Sequence, residues 1–144
     1  MAISPPAWSE TSNDVMGEKI DFINVTGLHR TKEFVVLREL RFGPGNRLDV
    51  DAFHEGLQRL RNLQILSGVE GEIKKDERGT GLNLHVEERW TTLPILRAVS
   101  GGGTTSTILG LYDINAFGRY IELGGQYENL NGKNGGVVWF RHPR

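Results

Sequence analysis

Gly110-Leu111-Tyr112-Asp113-Ile114-Asn115-Ala116-Phe117-Gly118-Arg119-Tyr120-Ile121-Glu122-Leu123-Gly124-Gly125-Gln126-Tyr127-Glu128 is the stretch on which the fold turns. From Arg119 the residues alternate: Ile121, Leu123, Gly125 and Tyr127 share one face of an extended chain, and Tyr120, Glu122, Gly124, Gln126 and Glu128 share the other. An apolar and a polar face at a period of two is the dyad of a strand in a transmembrane barrel, and it equally suits a soluble strand packed on one side. Periodicity leaves both readings open. The elements upstream separate them.

The chain has 144 residues, a formal charge of −1 and a hydrophobic share of 38%, values that suit one ordinary domain with a modest core. Bulk charge calls for neither nucleic acid nor a membrane surface. Without cysteine there are no disulfides and no thiolate chemistry, and the redox compartment stays open. No apolar run approaches the roughly 20 residues of a membrane helix, which excludes a helical anchor. Residues 1–17 carry Pro5, Pro6 and many small polar residues without the basic start and apolar centre of a secretory signal, so they read as a flexible lead-in. If the protein is exported, its signal has been removed or lies upstream.

Lys19 to Thr26, rich in β-branched and aromatic residues and stopped by Gly27, reads as a strand whose apolar phase slips between Phe22 and Ile23. Thr31 can cap a helix with Glu33 in its first turn and Val36, Leu37 and Leu40 at helical spacing, ended by Gly43-Pro44-Gly45. Asp49 or Asp51 can cap a second helix. Phe53, Leu57, Leu60 and Leu63 form its apolar stripe while Glu55, Arg59 and Arg61 point to water, and Gly56 inside it implies a close packing contact. Strands at Ser67 to Lys75 and Gly81 to Glu88 follow, joined by the turn Asp76-Glu77-Arg78-Gly79. The order is β-α-α-β-β, with a core of Val25, Val36, Leu40, Phe53, Leu57, Leu60, Val69, Ile73, Leu84 and Val86.

At these residues the sequence resembles a family. Ile23-x-Val25-x-Gly27, Leu37-Arg38-Glu39-Leu40 closing on Gly43-x-Gly45, Leu60-x-x-Leu63, and Val86-x-Glu88-Arg89-Trp90-Thr91-x-x-Pro94 together are similar to a polypeptide-transport-associated (POTRA) domain. Such domains precede the barrels of outer-membrane assembly and translocation proteins of the BamA/TamA and two-partner-secretion type, the bacterial surface antigen family. The resemblance covers Glu18 to Arg144. It implies an α+β fold: a β-α-α-β-β POTRA domain with a three-stranded mixed sheet over residues 18–91, then an antiparallel β-meander over 92–144 that corresponds to the start of a transmembrane β-barrel. Asp113-x-Asn115-x-Phe117-Gly118-Arg119 is similar to the short periplasmic turn between early barrel strands.

The sequence also departs from that family. Its barrels have sixteen strands and the smallest bacterial barrels eight, whereas only four fit here: Leu93 to Ser100, Thr105 to Tyr112, Arg119 to Tyr127 and Gly136 to His142. The family's late Val-Arg-Gly-Phe/Tyr loop motif is absent. The chain therefore reads as a truncated piece of a longer protein.

Catalytic and ligand chemistry find no support. His29, His54, His85 and His142 lack i, i+4 pairing, and adjacent carboxylates such as Glu87-Glu88 point to opposite strand faces. Gly101-Gly102-Gly103-Thr104 lacks the Lys-Ser/Thr of a phosphate loop and reads as a turn; Lys74-Lys75 and the Arg59, Arg61 pair read as solvated faces. The expectation is no enzyme, no cofactor, no metal and no nucleic acid. Trp90 with Leu93 and Pro94 fits either an aromatic belt at a membrane interface or packing beneath the sheet.

In the family the third strand lies between the first two, leaving the second at an edge. The resemblance thus implies that Val69, Glu70, Gly71, Glu72, Ile73, Lys74 and Lys75 offer free backbone groups to unfolded or extended outer-membrane polypeptides, beside accessory assembly proteins and an outer membrane crossed by the full barrel. The localisation it implies is the bacterial outer membrane, with the POTRA domain in the periplasm. The competing expectation is a complete soluble α+β protein-binding module with no membrane role.

Overall fold

The computed structural model of the chain describes Val15 and residues 17–142, and the chain divides into two units between Arg89 and Trp90. The lead-in expected over residues 1–17 lies outside the described residues except for two. Val15 is buried and the Gly17 N–H donates to the Leu48 carbonyl.

The first unit runs β1 (Ile20–Thr26), α1 (Glu33–Leu40), α2 (Val50–Arg61), β2 (Leu66–Asp76) and β3 (Gly79–Glu88). Strand order is β1-β3-β2, with β1 parallel and β2 antiparallel to the central β3, the mixed sheet expected. The register slip in β1 falls between Ile20 and Phe22, earlier than the apolar phase suggested. Glu77 and Arg78 form a two-residue turn, and Gly79 at φ +113 supplies the conformation it needs.

Val35, Val36 and Leu40 of α1, Phe53, Leu57 and Leu60 of α2, and Val69, Ile73, Leu82, Leu84 and Val86 of the sheet bury one core. Val25, counted with this core, is only half-buried because β1 lies at the edge of the sheet. Gly56 does make a close contact: a Cβ there would come within 3.2 Å of Phe42 and 3.3 Å of the Leu40 side chain.

Two expectations about the helices need correction. Thr31 does not cap α1; the N-cap position is Lys32, with no side-chain hydrogen bond. The preceding backbone is held instead by Glu88 at the end of β3, which accepts the Arg30 and Thr31 N–H groups at 2.9 and 2.6 Å. Nor does Arg59 point to water. Its guanidinium donates to the Glu39 and Leu40 carbonyls at 2.7 and 2.9 Å, satisfying the C-terminus of α1 with a cation where the helix dipole favours one.

Burial pushes the Glu88 carboxyl up, but the Thr31 hydroxyl and the N–H groups of Arg30, Thr31 and His29 outweigh it and hold the group below its ordinary value of 4.5. A carboxylate lowered in the folded state stabilises at neutral pH, and that contribution is lost as pH falls through the folded value. Glu88→Ala is expected to cost about 1.5 to 3 kcal/mol, the range for hydrogen bonds to a charged group. Its deficit, measured by urea unfolding, should shrink in acid; an equal deficit at pH 7 and pH 3 contradicts the assignment.

The second unit is an antiparallel meander of β4 (Thr92–Gly101), β5 (Thr104–Asp113), β6 (Glu122–Leu130) and β7 (Lys133–Arg141) in that spatial order. β4 and β5 start one residue before the expected positions, and the other two strands are displaced by three. Arg119 to Ile121 belong to the turn before β6, and β7 begins at Lys133 because Asn131-Gly132, at φ +50 and +81, forms the tight turn. The cut between units falls two residues before the expected 91/92 boundary, since buried Thr91 donates its hydroxyl to Asp113 at 2.7 Å.

Candidate functional site

The polarity of the β2 edge follows from its hairpin. A two-residue turn closed by the pair Asp76 and Gly79 makes that pair hydrogen-bonded, and antiparallel pairing alternates from there. Asp76, Lys74, Glu72 and Glu70 therefore bond β3, while the backbone groups of Lys75, Ile73, Gly71 and Val69 point away from the sheet. Three contacts confirm the phase from the other side of β3. The Thr80 N–H donates to Asp21, the Leu84 carbonyl accepts from Thr26, and the Val86 carbonyl abuts Gly27, so these residues face β1 and cannot also pair with β2.

Of the seven expected edge residues, four thus present outward backbone groups and three, Glu70, Glu72 and Lys74, present only side chains. The Val69 carbonyl already accepts a 3.4 Å contact from Arg61, which leaves Gly71, Ile73 and Lys75 as the open run. The β1 edge differs. Ile20 exchanges hydrogen bonds with Gly45 and Asn46, and Leu48 donates to Glu18, so a loop covers its start.

Side chains give this edge two characters. Val69 and Ile73 are buried beneath α2, and Gly71 lies under Leu57, whose Cδ2 sits 2.8 Å from where a Cβ would be. Glu70, Glu72 and Lys74 on the opposite face are exposed, Lys74 pairing with Glu72 at 2.9 Å. Lys75 pairs with Glu18 at 2.6 Å. That ion pair and the Thr80 hydroxyl hold the Glu18 carboxyl below its ordinary value. The surface offers hydrogen bonds along a backbone with little side-chain selectivity.

The expected turn residues come together around one buried amide. Asp113 accepts from the Thr91 hydroxyl and from the Asn115 N–H; Asn115 accepts from the Tyr120 N–H at 2.8 Å; Ala116 N–H donates to Ile121. Within this frame Phe117 and Tyr120 adopt φ +58 and +55, each costing about 1–2 kcal/mol in the left-handed region, and Gly118 adopts +69. Phe117 and Arg119 project to solvent.

Register sorts the meander into two faces. Leu96, Leu109, Leu111, Leu123, Tyr127, Val138 and Phe140 share one, most of them exposed. The other carries Glu122, which accepts from the Trp139 indole at 2.7 Å and pairs with Arg141 at 3.3 Å, with Trp139 stacked over Gly124. This is the alternation read in the sequence for β6; in the other strands the second face is mixed, and Leu93, Val99 and Val137 on it are exposed as well. An exposed apolar face of this extent needs a cover.

Among the described residues, no three His, Asp or Glu side chains converge as metal ligands, and no helix is long and apolar enough to cross a membrane. His85 faces Thr26 at 3.1 Å.

A family model described as "POTRA: Surface antigen variable number repeat" matches residues 18–89. The chain belongs to the POTRA family. Among solved structures, BamA from Haemophilus ducreyi lacking POTRA domains 1–3 matches with a TM-score of 0.70 at 18% identity, over 87% of this chain and 24% of that one. CdiB from Acinetobacter baumannii matches with a TM-score of 0.48 at 14% identity, over 78% of this chain and 22% of that one. The chain spans about a quarter of the length of these structures. A sequence comparison with curated proteins gives no match. The resemblance read from the POTRA motifs therefore holds, as does the fold class, an α+β unit followed by an antiparallel meander.

Proposed function

We propose that this POTRA protein is a periplasmic docking domain joined to the opening strands of an outer-membrane barrel, serving the assembly or translocation of outer-membrane polypeptides. Clients add as extended strands to β2. The observation that carries this reading is the open run of backbone groups at Gly71, Ile73 and Lys75, bordered by polar side chains that impose little sequence demand. The apolar face of the meander supports the membrane half, since a barrel strand turns such a face to lipid.

The test removes an outward donor without disturbing the sheet. Glu72 is the wrong position, because its N–H bonds β3 and proline there breaks the ladder. Lys75 is suitable: its N–H points outward and its side chain is exposed. Lys75→Pro is expected to weaken binding of an extended outer-membrane peptide about 2- to 10-fold, the worth of one hydrogen bond, beyond the effect of Lys75→Gln, which loses only the Glu18 ion pair. Equal binding by the two folded variants, measured by fluorescence anisotropy, sinks strand addition at this edge.

A further inference from the structure

At the hairpin end of the first unit, the start of β1, the loop before α2 and the turn between β2 and β3 border a cavity of about 430 Å³. Lys19, Arg47 and Lys75 line it together with Glu18 and Asp21. The two carboxylates are already engaged within the domain. Glu18 accepts from the Lys75 ammonium at 2.6 Å and from the Thr80 hydroxyl, and Asp21 accepts the Thr80 N–H at 2.9 Å. Lys19 and Arg47 are exposed, and among the described residues neither pairs with a carboxylate. Arg47 donates from one guanidinium nitrogen to the Gly17 carbonyl at 3.2 Å, and the rest of its fork is open to the cavity.

The backbone brings these two cations together. The Ile20 N–H donates to the Asn46 carbonyl and the Leu48 N–H to the Glu18 carbonyl, so Lys19 and Arg47, the residues between, oppose each other in an antiparallel bridge without hydrogen bonds of their own. That is the closer of the two antiparallel pairings, with Cα atoms about 4.5 Å apart and side chains on one face. Like charges placed directly opposite are destabilising, and an anion between them removes the cost. No side chain occupies the space. A Cβ on Gly17, at φ +84, would meet nothing within 4 Å, and one on Gly45, at φ +97, would meet only the Lys19 Cε at 4.0 Å.

We propose that Lys19 and Arg47 hold a phosphate dianion in this cavity, either inorganic phosphate or a phosphate monoester. Two uncompensated positive charges match the charge of about −1.5 to −2 that such a group carries near pH 7, whereas a carboxylate cancels only one of them. The guanidinium presents parallel donors to two phosphate oxygens, and the ammonium beside it acts on the group as a point charge. Strand addition at β2 is independent of this site, whose contacts come from side chains at the start of β1 and in the loop before α2.

The test titrates the full chain, held in uncharged detergent, with inorganic phosphate and with glycerol 3-phosphate by calorimetry at constant ionic strength. The parent is expected to bind saturably. Lys19→Gln and Arg47→Gln should each weaken binding about tenfold, the loss of one charge-assisted hydrogen bond, and Arg47→Lys, which keeps the charge without the fork, about threefold. Lys133→Gln, which removes an exposed cation of the meander, should leave binding unchanged. Urea unfolding without phosphate separates lost binding from a folding defect, because removing one of two opposed cations should leave the midpoint unchanged or raise it. A lowered midpoint in both glutamine variants contradicts the opposed pair, and the site with it. Tighter binding of glycerol 3-phosphate than of phosphate assigns a lipid headgroup as the source, and the reverse order assigns the free ion. Acetate bound as tightly as phosphate, binding that persists in both glutamine variants, or no saturable binding by the parent overturns the site.

Discussion

Leu57→Ala is expected to destabilise the first unit by on the order of 2 to 5 kcal/mol, a large part of the roughly 5 to 15 kcal/mol that holds a small domain together. Leu57 is buried at the centre of the contact between α2 and β2, and its Cδ2 fills the space a Cβ of Gly71 would take. The residue facing the cavity is thus a glycine, with no side chain to move in. Relaxation is limited, which places the cost toward the upper part of that range. The pairing gives a second readout. Gly71→Ala alone forces its new methyl against Leu57, Leu84 and Phe53 and should destabilise; with Leu57→Ala it enters the vacated space and should recover about 1 kcal/mol. Urea unfolding of residues 15–89 measures both, and additive effects would show that the two residues do not share this space.

The same contact shows what the sequence made legible. Leu57 and Gly71 each announced themselves, one by its place on a helical stripe and the other by its phase in a strand, but nothing local said that they meet. Long-range satisfaction was invisible in the same way. Arg59 looked like one more solvated charge on an amphipathic helix, yet it closes the end of α1, 19 and 20 residues away in sequence. Thr31 had the chemistry of a cap and lost the role to Glu88, 57 residues distant. Element order and type were readable because hydrophobic period and glycine punctuation are local signals. Two local signals outweigh the alternation. Asn131-Gly132 is the strongest short hairpin dipeptide in the chain and fixes where β7 begins, while the left-handed backbone at Phe117 and Tyr120 lengthens the turn that a pure alternation count assigned to a strand. The candidate edge was found as a strand, but which of its residues face outward needed the register.

The full chain is expected to associate in water, whereas residues 15–89 should remain monomeric. Two features of the meander drive this. Its apolar face leaves Leu96, Leu109, Leu111, Tyr127, Val138 and Phe140 exposed together, an arrangement that soluble monomers rarely tolerate. Its outer strands, β4 and β7, pair on one side only, so each offers a ladder of backbone groups to another copy. In a bilayer those unpaired groups would cost several kcal/mol each, so the four-stranded sheet is not expected to span a membrane alone. Closure demands more strands at a matched tilt and shear. The apolar face and the open edges predict different responses to substitution. Leu111→Lys with Val138→Lys puts charge on the face and leaves the edges intact, so a shift toward monomer assigns association chiefly to the face, while persistent oligomers assign it to edge pairing. Detergent above its micelle concentration covers the face and should act like the charged variant. Light scattering that finds the parent 144 residues monomeric at high concentration without detergent would remove the case for a lipid-facing sheet and favour the soluble binding module.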